Sequence, residues 1–401
     1  LRSQPPTSKE ALNMADFKSL ESSVNQAVQA KKIPGVVVAA ATAAGPLYDG
    51  AFGHREIGKP APMTTDTVVW IASMTKAITA AAAMQQVERG KLSLERPAGE
   101  VVPALGDAKV LEGFDAAGKP RLRAPRRAIT LRHLLTHTAG FSYEIWNPSI
   151  VKFQEVTGTP GITSCANAAL GTPLLFDPGD RWDYGINIDW AGKMVEAASG
   201  QRLDRYLQDN IIGPLGMTDT AFKLGASQKA RLSAMHQRNP DGSLTAIEFG
   251  LPEEPEFHMG GGGLYGTAGD YLKFCRMILG GGTLNGAQVL QKATVDTMAQ
   301  NHIGPLEIEA LKTAMPPLSK DVELFPGMSK KWGLSFLINT SDVPSGRSAN
   351  SLAWAGLGNT YFWIDRTRGV CGVFLSQLLP FYDDTALDLF ARFEAAVYRN
   401  V

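Results

Sequence analysis

Ile71-Ala72-Ser73-Met74-Thr75-Lys76-Ala77-Ile78 contains Ser-x-x-Lys and opens an apolar run from Ala77 to Val87. Gly90 follows where a helix C′ glycine would sit. The run predicts a helix with Ser73 on its first turn. Lys76 comes three residues later, so the two side chains share a face. A helix N-terminus carries partial positive charge and free N–H groups, which suits a serine oxygen acting as nucleophile. A neighbouring lysine that is partly desolvated loses its proton near neutral pH and can act as base. Residues 80–84 are apolar on nearly every face, so this helix is expected to be buried and rigid. Taken alone, Ser-x-x-Lys is a common chance pattern, and an ordinary helix start with an exposed lysine fits it too.

Bulk properties narrow the function classes. The chain has 401 residues, enough for two or three lobes and a large core. It is 44% hydrophobic and 19% charged, as in a globular protein. Basic and acidic residues balance at 39 each, which argues against nucleic acid or an anionic membrane surface as partner. No apolar run reaches the roughly 18 residues of a membrane span. The cysteines, Cys165, Cys275 and Cys371, are scattered and form no Cys-x-x-Cys motif. They fit a reducing compartment, so a cytoplasmic location is expected, with secretion of a processed form left open. Residues 1–13 are polar with two prolines and no signal-peptide core, and are expected to be disordered or appended ahead of a start at Met14.

Along the chain, Asp16 reads as the cap of a helix carrying Phe17, Leu20, Val24 and Val28. Val36–Ala41 and Leu47–Gly53 read as a hairpin. Residues 96–127 read as loop with short turns. Thr130 caps a short helix, Ile188–Ser199 and Leu203–Ile212 are helical, and Thr267 caps a helix to Leu279. Strands return at Gly333–Asn339, Ser351–Ala355, Tyr361–Asp365 and Val370–Ser376, and Leu387–Tyr398 closes with a helix. This order predicts an α+β fold: residues 14–66 and 285–401 form a discontinuous α/β lobe with an antiparallel sheet. Residues 67–284 form a mainly helical lobe, with the Ser73 helix at the lobe interface.

Two further stretches carry chemistry. Tyr184-Gly185-Ile186-Asn187 places a phenol that an ammonium could help to deprotonate, although a core tyrosine beside Trp182 and Trp190 fits as well. Trp354-Ala355-Gly356-Leu357-Gly358 is a strand end whose small residues allow close backbone approach. Its Leu357 N–H could join that of Ser73 in an oxyanion hole, or the stretch is simply a strand running into a glycine-rich turn. Other sites fit poorly. There is no Gly-x-Ser-x-Gly elbow, Gly260–Gly263 lacks the Gly-Lys-Ser/Thr of a phosphate loop, and no glutamate follows His133 to make a zinc motif with His137. Neither a cofactor nor a metal is expected.

Ser73-Met74-Thr75-Lys76, Tyr184-Gly185-Ile186-Asn187 and Trp354-Ala355-Gly356 in this order resemble the serine β-lactamase-like superfamily: class C β-lactamases, DD-peptidases, D-aminopeptidases and family VIII carboxylesterases. Leu134–Gly140 and Gly260–Leu264 also resemble segments typical of it. The resemblance spans about residues 17–398. It implies Ser73 as acylated nucleophile and Lys76 with Tyr184 as general base, Tyr184 later protonating the leaving group. It also implies the Ser73 and Leu357 N–H groups as oxyanion hole. Asn187 stands one position further from the tyrosine than in Tyr-x-Asn, so it enters only as a substrate contact, beside Trp354 and Gly356.

β-Lactamases and DD-peptidases usually carry a cation where Trp354 stands. A neutral indole cannot hold a substrate carboxylate, and offers instead an apolar wall. Trp-x-Gly is similar to the family VIII esterases. The expected function is therefore a serine carboxylesterase for small uncharged esters, with weak β-lactam hydrolysis as a side activity. The alternatives are a β-lactamase, a D-aminopeptidase or DD-peptidase, an acyltransferase on the same fold, or a penicillin-recognising sensor that acylates without turnover. The expected partner is a small-molecule ester, and the oligomeric state is left open.

Overall fold

The computed structural model describes residues 16–401, so the expectations for residues 1–13 and for Met14 lie outside the described residues. Helix α1 (Phe17–Gln29) starts where the Asp16 carboxylate accepts the Ser19 N–H, as an N-cap should. Strands β1 (Gly35–Thr42) and β2 (Pro46–Gly53) follow as the expected hairpin. The nucleophile segment leads into α2 (Thr75–Glu88), and later come α3 (Asn187–Ser199) and α4 (Ala268–Leu279). Then come β3 (Lys330–Trp332), β4 (Leu337–Asn339), β5 (Leu352–Gly356), β6 (Thr360–Asp365), β7 (Val370–Leu375) and α5 (Asp384–Arg399).

These strands form one seven-stranded sheet in the order β3-β4-β5-β6-β7-β1-β2, antiparallel throughout. Val37 pairs with Leu375, so the two ends of the chain meet in the middle of one sheet. Both faces are covered, which explains why β1, β6 and β7 are apolar runs rather than alternating ones. Alternate residues of β6 serve the two faces. Tyr361 stacks on Phe390 of α5 and Trp363 meets Phe393 of α5 edge-on, while Phe362 meets Tyr271 of α4.

Three expectations need correction. Helix α4, expected in the helical lobe, packs instead on β1, β6 and β7 as the second cover of the sheet. Residues 96–127 are not all loop: Val110–Phe114 and Pro120–Arg123 pair as a hairpin whose turn the Asp115 carboxylate closes by accepting two backbone N–H groups. The strand expected at Gly333–Asn339 is broken, because Ser335 takes a φ of 73° and the chain turns between β3 and β4.

Helix α2 is buried on all sides, as its sequence required. Its polar Gln85 and Gln86 are tolerated because they hydrogen-bond the Val289 carbonyl and the Tyr206 hydroxyl. It packs along α3, which brings the segment after Tyr184 beside Ser73. Among the described residues no helix is long and apolar enough to cross a membrane.

Candidate active site

Ser73 lies on a 3-10 turn, Ala72–Met74, directly ahead of α2 rather than on its first α-helical turn. Ala72 has a φ of 46°, a left-handed conformation that costs an L-residue about 1–3 kcal/mol unless its surroundings impose it. They do so from both sides. The Ile71 N–H donates to the Leu264 carbonyl, and the Thr360 hydroxyl donates to the Ile71 carbonyl. Gly356, at the end of β5, packs so close that a Cβ there would sit 2.4 Å from the Ile71 oxygen. Sheet and turn thereby bring Leu357 beside Ser73 at the wall of one narrow slot, and Gly356 lines the same slot.

Lys76 is wholly buried one turn further on. Its Nζ lies 3.1 Å from Ser73 Oγ, 3.0 Å from the Tyr143 hydroxyl and 2.6 Å from the Gly261 carbonyl. Three neighbours satisfy the three protons of an ammonium. In the neutral amine, two N–H bonds can serve Gly261 and Tyr143, and the lone pair is free to take the Ser73 proton. Burial favours that neutral form: it pulls the Lys76 pKa down to about 7, against the attraction of Asp189.

Tyr184 is buried with its ring 4.7 Å from Lys76 Nζ, and its hydroxyl hydrogen-bonds Ser73. The Trp354 indole N–H donates to the Tyr184 oxygen at 3.0 Å. The ammonium was expected to loosen the phenol proton. Instead burial holds that proton on, pushing the pKa above the usual tyrosine value despite the hydrogen bonds with Ser73 and Trp354. With its oxygen accepting from Trp354, the hydroxyl proton is left free to be donated.

Asn187, expected to contact substrate, is turned away. It is fully buried, and its amide nitrogen lies 3.0 Å from His137 Nδ1 and 3.4 Å from the Phe141 carbonyl. It pins the Tyr184 loop to the segment around His137. The His137 imidazole stays neutral, because burial and the nearby Lys76 both push its pKa well below the usual histidine value.

The Beta-lactamase family model matches residues 20–397. The chain belongs to the Beta-lactamase family. Monacolin J acid methylbutanoyltransferase of Aspergillus terreus is 35% identical over 397 residues, spanning 94% of this chain and 95% of that protein. Lovastatin esterase of Penicillium rubens is also 35% identical over 397 residues, spanning 95% and 98%. The unliganded simvastatin synthase LovD of Aspergillus terreus superposes with a TM-score of 0.83 at 34% identity, covering 95% of this chain and 98% of that one. This Beta-lactamase-family chain is accordingly an enzyme of the acyl-serine kind.

Within the Beta-lactamase-family site, sequence inspection missed three groups that touch or face Lys76: Tyr143, Gly261 and Asp189. Tyr143 follows the helix at Leu131–Leu135, Gly261 lies in the glycine run, and Asp189 is on the first turn of α3. A warning was present for Asp189 in its neighbours, Ile186, Ile188, Trp190 and Ala191, an apolar setting unusual for a carboxylate.

Proposed function

We propose that this protein is a serine carboxylesterase that cleaves small uncharged esters through an acyl-Ser73 intermediate. The observation that carries this reading is the slot over Ser73. Trp146, Tyr184, Leu324, Trp354 and Phe381 are among its walls, and none of its lining side chains is charged. An anionic substrate would lose its hydration there with no cation in return, whereas a neutral acyl group gains apolar contact.

Ser73 Oγ attacks the ester carbonyl carbon and its proton passes to the neutral Lys76 amine. The N–H groups of Ser73 and Leu357 hold the resulting oxyanion. The carbon–oxygen bond to the alcohol breaks as Tyr184 gives that oxygen its proton, leaving a phenolate held by the Trp354 N–H and the Lys76 ammonium. A water then attacks the acyl carbon and gives a proton to Tyr184. The bond to Ser73 breaks, and Lys76 returns its proton to Oγ.

A second reading replaces that water with an alcohol, which makes the enzyme an acyltransferase. The likeness to monacolin J acid methylbutanoyltransferase over 94% of the chain favours it. Intact-protein mass after brief exposure to p-nitrophenyl butyrate tests the first step, and rates on that ester, on nitrocefin and with added alcohols test the rest. Acyl mass on Ser73, ester turnover well above nitrocefin turnover, and loss of both in Ser73→Ala are expected. Most of the activity surviving in Ser73→Ala would overturn the proposal, as would faster turnover of nitrocefin. Conversion of most acyl groups to the alcohol's ester would select acyl transfer over hydrolysis.

A further inference from the structure

A wholly buried lysine beside the nucleophile needs something to balance its charge whenever it is protonated. Asp189 is also wholly buried. Its Oδ1 accepts the Gly261 N–H at 2.8 Å, and the Gly261 carbonyl accepts from Lys76 Nζ at 2.6 Å. One residue thus connects the carboxylate to the amine. The approach depends on glycine, since a Cβ at position 261 would come within 2.6 Å of Asp189 Oδ2. The Tyr143 hydroxyl, 3.0 Å from Lys76 Nζ, also interacts with the Asp189 carboxylate. A buried carboxylate is costly unless a nearby positive charge compensates it.

We propose that Asp189 is the buried counter-ion of Lys76 and, through Gly261, the residue that positions its amine. This rests on the reading of Ser73 and Lys76 given above and adds a residue to it.

The electrostatics agree in direction. Burial pulls Lys76 down and Asp189 opposes it, while burial pushes Asp189 up to about 6 against the attraction of Lys76. The other titratable groups facing the pair are uncharged or more remote in effect. His137 is held neutral, Tyr143 and Tyr184 keep their protons, and burial pushes the Cys165 thiol up to about 12. Glu144, which accepts the Ile162 N–H, acts on Asp189 and Tyr143 rather than on Lys76. Asp189 is therefore the charge that keeps Lys76 from falling further.

Asp189→Asn keeps the shape and the acceptor for Gly261 but removes the charge. Lys76 acts as base only when neutral, so kcat/KM for p-nitrophenyl acetate should rise with pH through a midpoint near 7 in the native enzyme. In Asp189→Asn that midpoint should fall by about one unit or more. The plateau should also drop several-fold, because a less basic amine is a poorer proton acceptor. A lower plateau with an unmoved midpoint would mean a merely structural aspartate and overturns the proposal. Acyl mass on Ser73 in the native enzyme, measured in parallel, separates this failure from failure of the esterase reading. Should the variant not fold, the Lys76 Cε resonance of native enzyme labelled with carbon-13 lysine, assigned by its loss in Lys76→Met, gives a second test. Two inflections, one from each member of the pair, are expected, and a single inflection refutes the coupling.

Discussion

On the mechanism proposed above, Lys76 and Tyr184 divide one proton-transfer task because their surroundings push them in opposite ways. Burial makes the lysine a neutral base and keeps the tyrosine a neutral acid. Trp354 adjusts the second half of that division. Its indole N–H, 3.0 Å from the Tyr184 oxygen, strengthens when the phenol becomes phenolate. The effect of losing it depends on the leaving group. In Trp354→Phe the ring still packs on Trp332, but only the Lys76 ammonium is left to hold the developing charge on Tyr184. Loss of a charge-assisted hydrogen bond of about 1.5–3 kcal/mol predicts roughly 10- to 100-fold lower kcat/KM on alkyl esters, whose alkoxide must be protonated. p-Nitrophenyl esters need no such proton and should lose only a few-fold. Equal losses on both ester types, in steady-state assays at pH 8, would show that Trp354 serves as a wall alone.

At the scale of elements, the site depends on how closely β5 can approach the turn that carries Ser73. Gly356 permits that approach: a Cβ there would sit 2.4 Å from both the Ile71 carbonyl and the Thr360 hydroxyl. Gly356→Ala must push the strand and turn apart by a substantial fraction of an ångström. Overpacking of this kind costs about 1–3 kcal/mol. Catalysis should suffer more, because the N–H groups of Ser73 and Leu357 are carried on the two parts that separate. Losing one oxyanion donor costs about 10²–10³ in rate. Thermal melting and kcat/KM together check this: a small drop in midpoint with at least a hundred-fold loss of activity is expected, and unchanged activity would remove Leu357 from the oxyanion hole. Such elements were mostly legible from sequence. The apolar runs of β1 and β7, the Asp16 and Thr267 caps and the Gly200 stop all report local chemistry. The hairpin at 110–123 was hidden because its strands carry Glu112, Gly113 and Pro120 in place of such a run. Ser73, Lys76, Tyr184 and Trp354 were legible as motifs. Tyr143, Gly261 and Asp189 were not, since they meet only after three distant segments have packed around Lys76, and no spacing records that. Asn187 was misjudged for the same reason, its partner His137 lying 50 residues away.

Over the whole molecule, the slot is built from residues as far apart as Ser73 and Phe381, so it exists only while the two ends of the chain stay joined. Within the C-terminal part, one joint is ionic. Arg347, just ahead of β5, pairs with Glu394 of α5 through Nε–Oε1 at 2.6 Å and Nη2–Oε2 at 2.8 Å. Both are almost fully buried, and the guanidinium lies over the rings of Phe325 and Trp363. A buried pair of this kind adds little net stability over apolar residues, but breaking it strands a charge in the interior, at a cost of about 3–5 kcal/mol. Arg347→Met should therefore unfold at markedly lower temperature or denaturant concentration, while Arg347→Met with Glu394→Leu recovers most of the loss. Neither residue lines the Ser73 slot, so kcat per acylatable serine, counted by the acyl burst, should stay within a few-fold of native in both variants. A single variant as stable as the native chain would mean that Glu394 finds another partner or takes up a proton. A stable variant with a depressed kcat would instead make this joint part of what sets the position of β5 against Ser73.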